Sequence, residues 1–178
     1  MGSDDLTGKL LVAAPALGDP NFLATVVLLI DRDAQGAIGV VLNDPTTLPV
    51  IDHVPEWAEA ILPPQVVFRG GPVEPDVAIA LSRGPALQSD RTVIDGVHLV
   101  DLVGMQVTAS PHRIFAGYSG WGRHQLEHEL EREDWIVVEA TAADVFTARP
   151  GDLWRTVLER RFGDLGVLRF FPRHPSLN

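Results

Sequence analysis

No cysteine occurs in the 178 residues. That excludes disulfides, Cys-ligated zinc, iron–sulfur clusters and thiol nucleophiles together. Lysine is nearly as scarce, Lys9 being the only one among 14 basic residues, and tyrosine is represented by Tyr118 alone. Positive charge is in deficit: 24 acidic side chains leave a net charge of −10. Such a chain lacks the field that gathers polyanions, so direct nucleic-acid binding is not expected. Apolar runs are short, Val26–Ile30 among them, against the roughly 20 residues needed to cross a bilayer as a helix. The opening Met1-Gly2-Ser3-Asp4-Asp5 is small and acidic, unlike a secretory leader. A cytoplasmic location without membrane attachment is the expectation. There is no Walker pattern ending in Gly-Lys and no G-x-G-x-x-G. No cofactor is expected.

What is present is ordinary globular material. Apolar residues make up 46% and charged residues 21%, enough for one domain with its own core. A single domain over residues 1–178 is expected, with 1–6 flexible and 150–178 a helix and Arg-rich tail packing on the body. The charge is unevenly divided. Residues 1–148 hold 8 basic and 21 acidic side chains, a net of −13, and residues 149–178 hold 6 and 3, a net of +3. The Arg-rich end is expected to dock on the acidic body or simply to solvate a helix; the alternative is a contact for a partner through Arg155, Arg160 and Arg161.

Patterning predicts strands at Lys9–Ala14, Thr25–Asp31, Ala37–Asn43, Gln65–Arg69, Val77–Ser82, Thr92–Asp101, His112–Tyr118 and Trp135–Ala140. Thr25–Asp31 has no apolar alternation and reads as buried on both faces. Gly18-Asp19-Pro20-Asn21 and Asp33-Ala34-Gln35-Gly36 carry turn chemistry, and Gly39 inside a strand predicts a bulge or a close backbone approach. Five prolines between Pro45 and Pro64 mark a loop-rich stretch, with a short helix from Pro55 burying Trp57 and Ile61. Helices are predicted at Arg123–Arg132 and Gly151–Phe162, the latter with an apolar stripe of Leu153, Trp154, Val157, Leu158 and Phe162. Thr141-Ala-Ala-Asp144 has capping-box form. Strands outnumber helices and neighbours look antiparallel, so the fold class is α+β.

Three patterns carry possible chemistry. His124-Gln-Leu-Glu-His128 matches H-x-x-E-H. On a helix the two histidines share a face, and Glu127 would activate a zinc-bound water. This metal-dependent hydrolase is the alternative reading, because no third ligand is marked and acids flank the pair. Gly117-Tyr-Ser-Gly-Trp121 lies between strand and helix like a nucleophile elbow, yet Trp121 stands where the second Gly belongs. A nucleophilic Ser119 would need His98 or His112 as base, backed by Asp95 or Asp101. Gly36–Gly39 and Gly70-Gly71 offer backbone nests for phosphate, although turn and bulge roles explain them better. The leading reading is non-catalytic: Asp19, Asn43, Gly70, Gly71, Tyr118, Trp121 and Gln125 lie at element ends or in loops and are expected to line one concave surface for a small ligand or protein partner.

The same turns carry a resemblance. Gly8–Phe22, Gly36–Pro45, Phe68–Val73 and Gly117–Trp121 with Gln125, Leu126 and Glu129 resemble, in order, four blocks of the YqgE/AlgH family of bacterial proteins. The ending Pro175-Ser-Leu-Asn178 is similar to that of family members. The chain departs from the family in Asp31-Arg32, where Glu-His is common, and in His124, where Gly is common. The resemblance implies a compact fold with a strongly bent or barrel-like mixed sheet flanked by helices. It implies no catalytic activity. A regulatory role attaches to the family by name, and with this charge and no helix-turn-helix it would act through a partner or ligand.

Overall fold

The computed structural model describes residues 6–14, 23–87, 90–100, 102 and 110–163. Ten strands lie in these segments: β1 Lys9–Ala13, β2 Val26–Asp33, β3 Gly36–Val41, β4 Pro45–Pro49, β5 Val66–Arg69, β6 Val73–Arg83, β7 Arg91–Ile94, β8 Val97–Val100, β9 His112–Gly122 and β10 Trp135–Glu139. The helices are α1 Gln125–Glu131, α2 Ala142–Val145 and α3 Leu153–Phe162. The strand order is β10-β1-β2-β3-β9-β6-β8-β7, with β5 beside β9 and β4 beside β5. Every pairing is antiparallel except β5 with β9, so the sheet is mixed and the fold is α+β.

The sheet bends until β7, at one end of that order, reaches β2 and the residues just before β1. Arg91 on β7 donates from Nη2 to the Ile30 carbonyl on β2 (2.9 Å) and pairs with Asp31 (3.3 Å). A Cβ on Gly8, just before β1, would lie 2.7 Å from Ile94 Cγ2. This is the barrel-like curl that the resemblance implied.

Strand alternation then builds two cores from the same strands. Leu10, Val12, Leu28, Val40, Phe68, Leu81 and Phe115 fill one, closed by Leu153, Val157 and Leu158 of α3. Leu11, Ala13, Val27, Leu29 and Val41 point to the other face, where Leu126 of α1 covers them. Val26–Ile30 is therefore buried on both faces, as its unbroken apolar run requires. A third cluster, Val50, Trp57, Ile61, Val67 and Ile114, sits under the Pro-rich stretch.

Gly39 has both of its expected roles. It lies opposite Leu29, where the β2–β3 register shifts, and a Cβ there would meet Val27 Cγ1 at 2.6 Å. The capping box forms in full: the Thr141 hydroxyl accepts from the Asp144 N–H, and the Asp144 carboxylate accepts from the Thr141 N–H. Arg160 donates to both carboxylate oxygens of Asp144 (2.8 and 2.9 Å) and to the Glu139 carbonyl.

Five expectations change. Thr92–Asp101 is two strands, because Asp95-Gly96 turns the chain with Gly96 at φ +72°. The Pro-rich stretch contains β4, where prolines are tolerated because the strand is an edge. The segment from Pro55 is a 3-10 helix, Pro55–Ala60, and ends before Ile61, although both named apolar residues are buried. The helix foreseen at Arg123–Arg132 starts only at Gln125, because His124 is left-handed. Phe162 is 51% exposed and lies outside the buried stripe of α3. The turn at Gly18–Asn21, including Asp19, lies outside the described residues, as do residues 1–5, Asp101 and the tail 164–178. Among the described residues no helix is long and apolar enough to cross a membrane.

His112 on β9 is buried, packs edge-on against Trp57 at 4.8 Å and leaves Nδ1 without a hydrogen bond. Burial pushes its pKa below 6.5, outweighing the Ser110 carbonyl and Asp90. The unfolded chain therefore takes up a proton that the folded chain resists, and stability falls as pH drops below 6.5. Urea midpoints measured from pH 7.5 to 5 are expected to fall less in His112→Phe than in the parent. Equal slopes would contradict this role.

Candidate functional site

The site is built around β9, a long strand that changes neighbours partway. Its first half pairs with β5 and β6, and its last four residues pair with β3. At the joint stands Gly117, φ +69°, a left-handed value that glycine adopts at low cost. Gly70 and Gly71 cross here. A Cβ on Gly70 would lie 2.2 Å from the Gly117 carbonyl oxygen, and one on Gly71 would lie 2.2 Å from the Tyr118 carbonyl carbon. The Gly70 carbonyl accepts from the Val41 N–H (2.9 Å) and the Ser119 hydroxyl (3.2 Å). Gly70 and Gly71 of the third sequence block and Gly117 of the fourth therefore serve a single backbone crossing.

Asn43 has a comparable task. Its Oδ1 accepts from the Val26 N–H and its Nδ2 donates to the Ala24 carbonyl, each at 2.9 Å, so it fastens the end of β3 to the start of β2. Trp121 and Gln125 belong to a second network. The Glu129 Oε2 accepts from the indole N–H groups of Trp121 and Trp135, both at 2.8 Å. Gln125 bridges from Glu129 Oε1 to the Gly122 N–H. The two indoles meet edge-on at 5.9 Å. This carboxylate ties α1 to the ends of β9 and β10.

Around the end of β9 two adjoining clefts open. One, of about 430 Å3, is lined by Tyr118, Gly120, Trp121, Gly122, Val73 and the β2–β3 hairpin. The other, of about 550 Å3, is lined by Arg32, Asp33, Gly122, Arg123, His124 and Glu127. They share Arg32, Asp33, Gly36, Ala37 and Gly122. Of the predicted site residues, Tyr118 and Trp121 line a cleft. Gln125 is exposed and lines neither cleft, and Asn43, Gly70 and Gly71 hold the sheet joint. Burial and the hydrogen-bonded Glu74 carboxylate push the Tyr118 pKa up, so its phenol is a neutral donor at physiological pH.

The two catalytic patterns come apart in the structure. Ser119 is fully buried, with its hydroxyl on a carbonyl. His98 is occupied by Thr92 and the Gly84 carbonyl, and His112 lies against Trp57. Neither histidine therefore faces the Ser119 hydroxyl. His124 is the N-cap of α1, left-handed at φ +63°, with its carbonyl accepting from the His128 N–H (3.2 Å), and both histidines are exposed. Glu127 is held below the ordinary carboxylate range by its own backbone N–H and by Arg32 Nη2 at 2.5 Å. Among the described residues no group of three His, Cys, Asp or Glu side chains is placed to share a metal ion.

Sequence reasoning missed Gly120, Gly122, Arg32 and Arg123 as cleft residues. Gly120-Trp121-Gly122 read as a loop, whereas it is the end of a paired strand. The signal available was the alternation: glycines two apart in a strand leave one face bare.

The AlgH-like family profile matches residues 10–166. A UPF0301 protein of Streptomyces coelicolor is 47% identical over 97% of this chain and 95% of its own length. Another from Thermobifida fusca is 40% identical over 97% and 96%. Among solved structures, a Corynebacterium diphtheriae protein superposes with a TM-score of 0.84 at 26% identity, covering 92% of this chain and 91% of that one. The solution structure of the AlgH protein from Pseudomonas aeruginosa matches with a TM-score of 0.71 at 28% identity, covering 98% of each. The shared sequence and the shared curled sheet agree: this chain belongs to the AlgH-like, UPF0301 family.

Proposed function

We propose that the protein is a non-catalytic binding protein whose ligand or partner seats against the exposed end of β9. The observation that supports this reading is the behaviour of two glycines. Gly120 and Gly122 have no left-handed φ, and a Cβ on either would meet only ordinary contacts, at 3.6 Å and 3.9 Å. The fold therefore does not require glycine at these positions. Glycine inside a strand costs about 0.5–1 kcal/mol relative to alanine, and a bare strand face is what close approach of another molecule needs. Both residues line the clefts, beside the Tyr118 phenol and the Trp121 edge. Glu127, the acid nearest the helix end of the larger cleft, is paired with Arg32.

Native mass spectrometry after incubation with a metabolite extract tests the reading. The parent is expected to carry a stoichiometric small-molecule adduct, and a Gly120→Ala/Gly122→Val variant to lose it. A bare mass for the parent, or the same adduct on both proteins, would contradict the reading. A regulatory role through a partner, if the protein has one, would then follow from what the clefts hold, since Arg160 of the Arg-rich end is engaged with Asp144.

A further inference from the structure

Two arginines and two carboxylates line the larger cleft, and their pairing leaves one arginine over. Its acidic groups are satisfied from within. Glu127 is paired with Arg32, and Asp33 Oδ1 accepts from the N–H groups of Gln35 (2.7 Å) and Gly36 (3.2 Å). Arg123, by contrast, has no carboxylate partner among the described residues. Its single polar contact is Nε donating to His124 Nε2 at 3.1 Å, which leaves both terminal nitrogens of the guanidinium uncommitted. A guanidinium held at Nε and free at its other edge is preset for two parallel hydrogen bonds to an oxyanion.

His124 is a second, independent sign. Its φ of +63° is a conformation that favours glycine, and a ring at that position is strained backbone kept in place. The ring lines the cleft and its Nε2 fixes the arginine beside it. In a chain of net charge −10, an unpaired arginine in a concave, half-polar site is where a small anion escapes the general repulsion.

Resting on the reading of the clefts as a binding site, we infer that Arg123, oriented by His124, forms a subsite for the oxyanion head of a small molecule, a phosphate or a carboxylate. The body of that molecule would lie over Gly122 towards Tyr118. Arg123 supplies the charge and the two donors. His124 is a positioning residue, acting through Arg123.

Titration of the 15N-labelled protein with inorganic phosphate and, separately, with acetate tests this by NMR. The expected result is a saturable shift of the Arg123 Nε–H and of the amides from Gly122 to His124 with at least one anion, the tighter of the two identifying the head group. Arg123→Gln is expected to weaken that binding by about ten-fold, the loss of a charged hydrogen-bond pair. His124→Gly suits the backbone at that position and is expected to weaken it by roughly three-fold, with the spectrum otherwise unchanged. Linear, unsaturable shifts with both anions, or equal binding by Arg123→Gln, would overturn the assignment. If the anions fail to bind while the extract adduct is still lost in Gly120→Ala/Gly122→Val, the binding reading stands and the oxyanion subsite alone falls.

Discussion

Gly70→Ala is expected to destabilise the native fold severely, although it adds a single methyl group. The new Cβ would stand 2.2 Å from the Gly117 oxygen and 3.2 Å from Phe115 Cβ, so backbone, not a movable side chain, is in its way. Relief requires β5 and β9 to separate where their ladder ends, breaking the Gly70 N–H bond to the Ala116 carbonyl and the Val41 N–H bond to the Gly70 carbonyl, both 2.9 Å. Overpacking a core ordinarily costs about 1–3 kcal/mol. A clash between two main chains belongs at the exceptional end, about 4 kcal/mol or more, against a total stability of roughly 5–15 kcal/mol. Circular dichroism melts of Gly70→Ala and Gly122→Ala, run together, check this. The first is expected to melt far below the parent and the second close to it; a parent-like melt of Gly70→Ala would be a refutation.

Arg113→Ala is expected to cost about 4 kcal/mol, for two separate reasons. Arg113 is completely buried on β9, with its ring-facing side 4.4 Å from the Phe68 centroid. In place of a carboxylate it has three carbonyls: Val145 at 2.8 Å, Pro63 at 2.9 Å and Thr147 at 3.0 Å. These come from the Pro-rich stretch and from the end of α2, so a single side chain pins two distant segments to the sheet. Burial lowers its pKa to about 10, which leaves it charged at neutral pH. Truncation removes a large volume and leaves the carbonyls without donors. Arg113→Met restores the volume but not the donors, and should recover about half of the loss. Urea midpoints of the two variants measure the split. An Arg113→Ala stability within about 1 kcal/mol of the parent would show that the carbonyls find other donors.

The fold was legible wherever a local rule decided the outcome. The unbroken apolar run of β2 announced burial on both faces, and the Thr141–Asp144 spacing announced its capping box, because each depends on residues within one turn or strand. Tertiary context decided the rest. Pro45 and Pro49 argue against a strand until β5 arrives to make β4 an edge. Asp95-Gly96 was a hairpin signal submerged in a run of apolar residues. The candidate site suffered most. Gly70, Gly71 and Gly117 look the same in sequence as Gly120 and Gly122, yet the first three are forced by a crossing chain and the last two are not. The steric partner of Gly70 is 47 positions away, so no local pattern separates the two kinds. His124 and His128 promised two residues inside one helix, whereas His124 is its left-handed N-cap and no third ligand stands near among the described residues.

The account rests on Gly120 and Gly122 serving the clefts and not the fold, and the thermal melt of Gly120→Ala/Gly122→Val tests that most directly. Removing glycine from a strand should stabilise by about 0.5–1 kcal/mol per site, so Tm is expected to stay level or rise by a few degrees. A fall in Tm approaching that of Gly70→Ala would contradict the account, because these glycines would then be needed by the sheet itself.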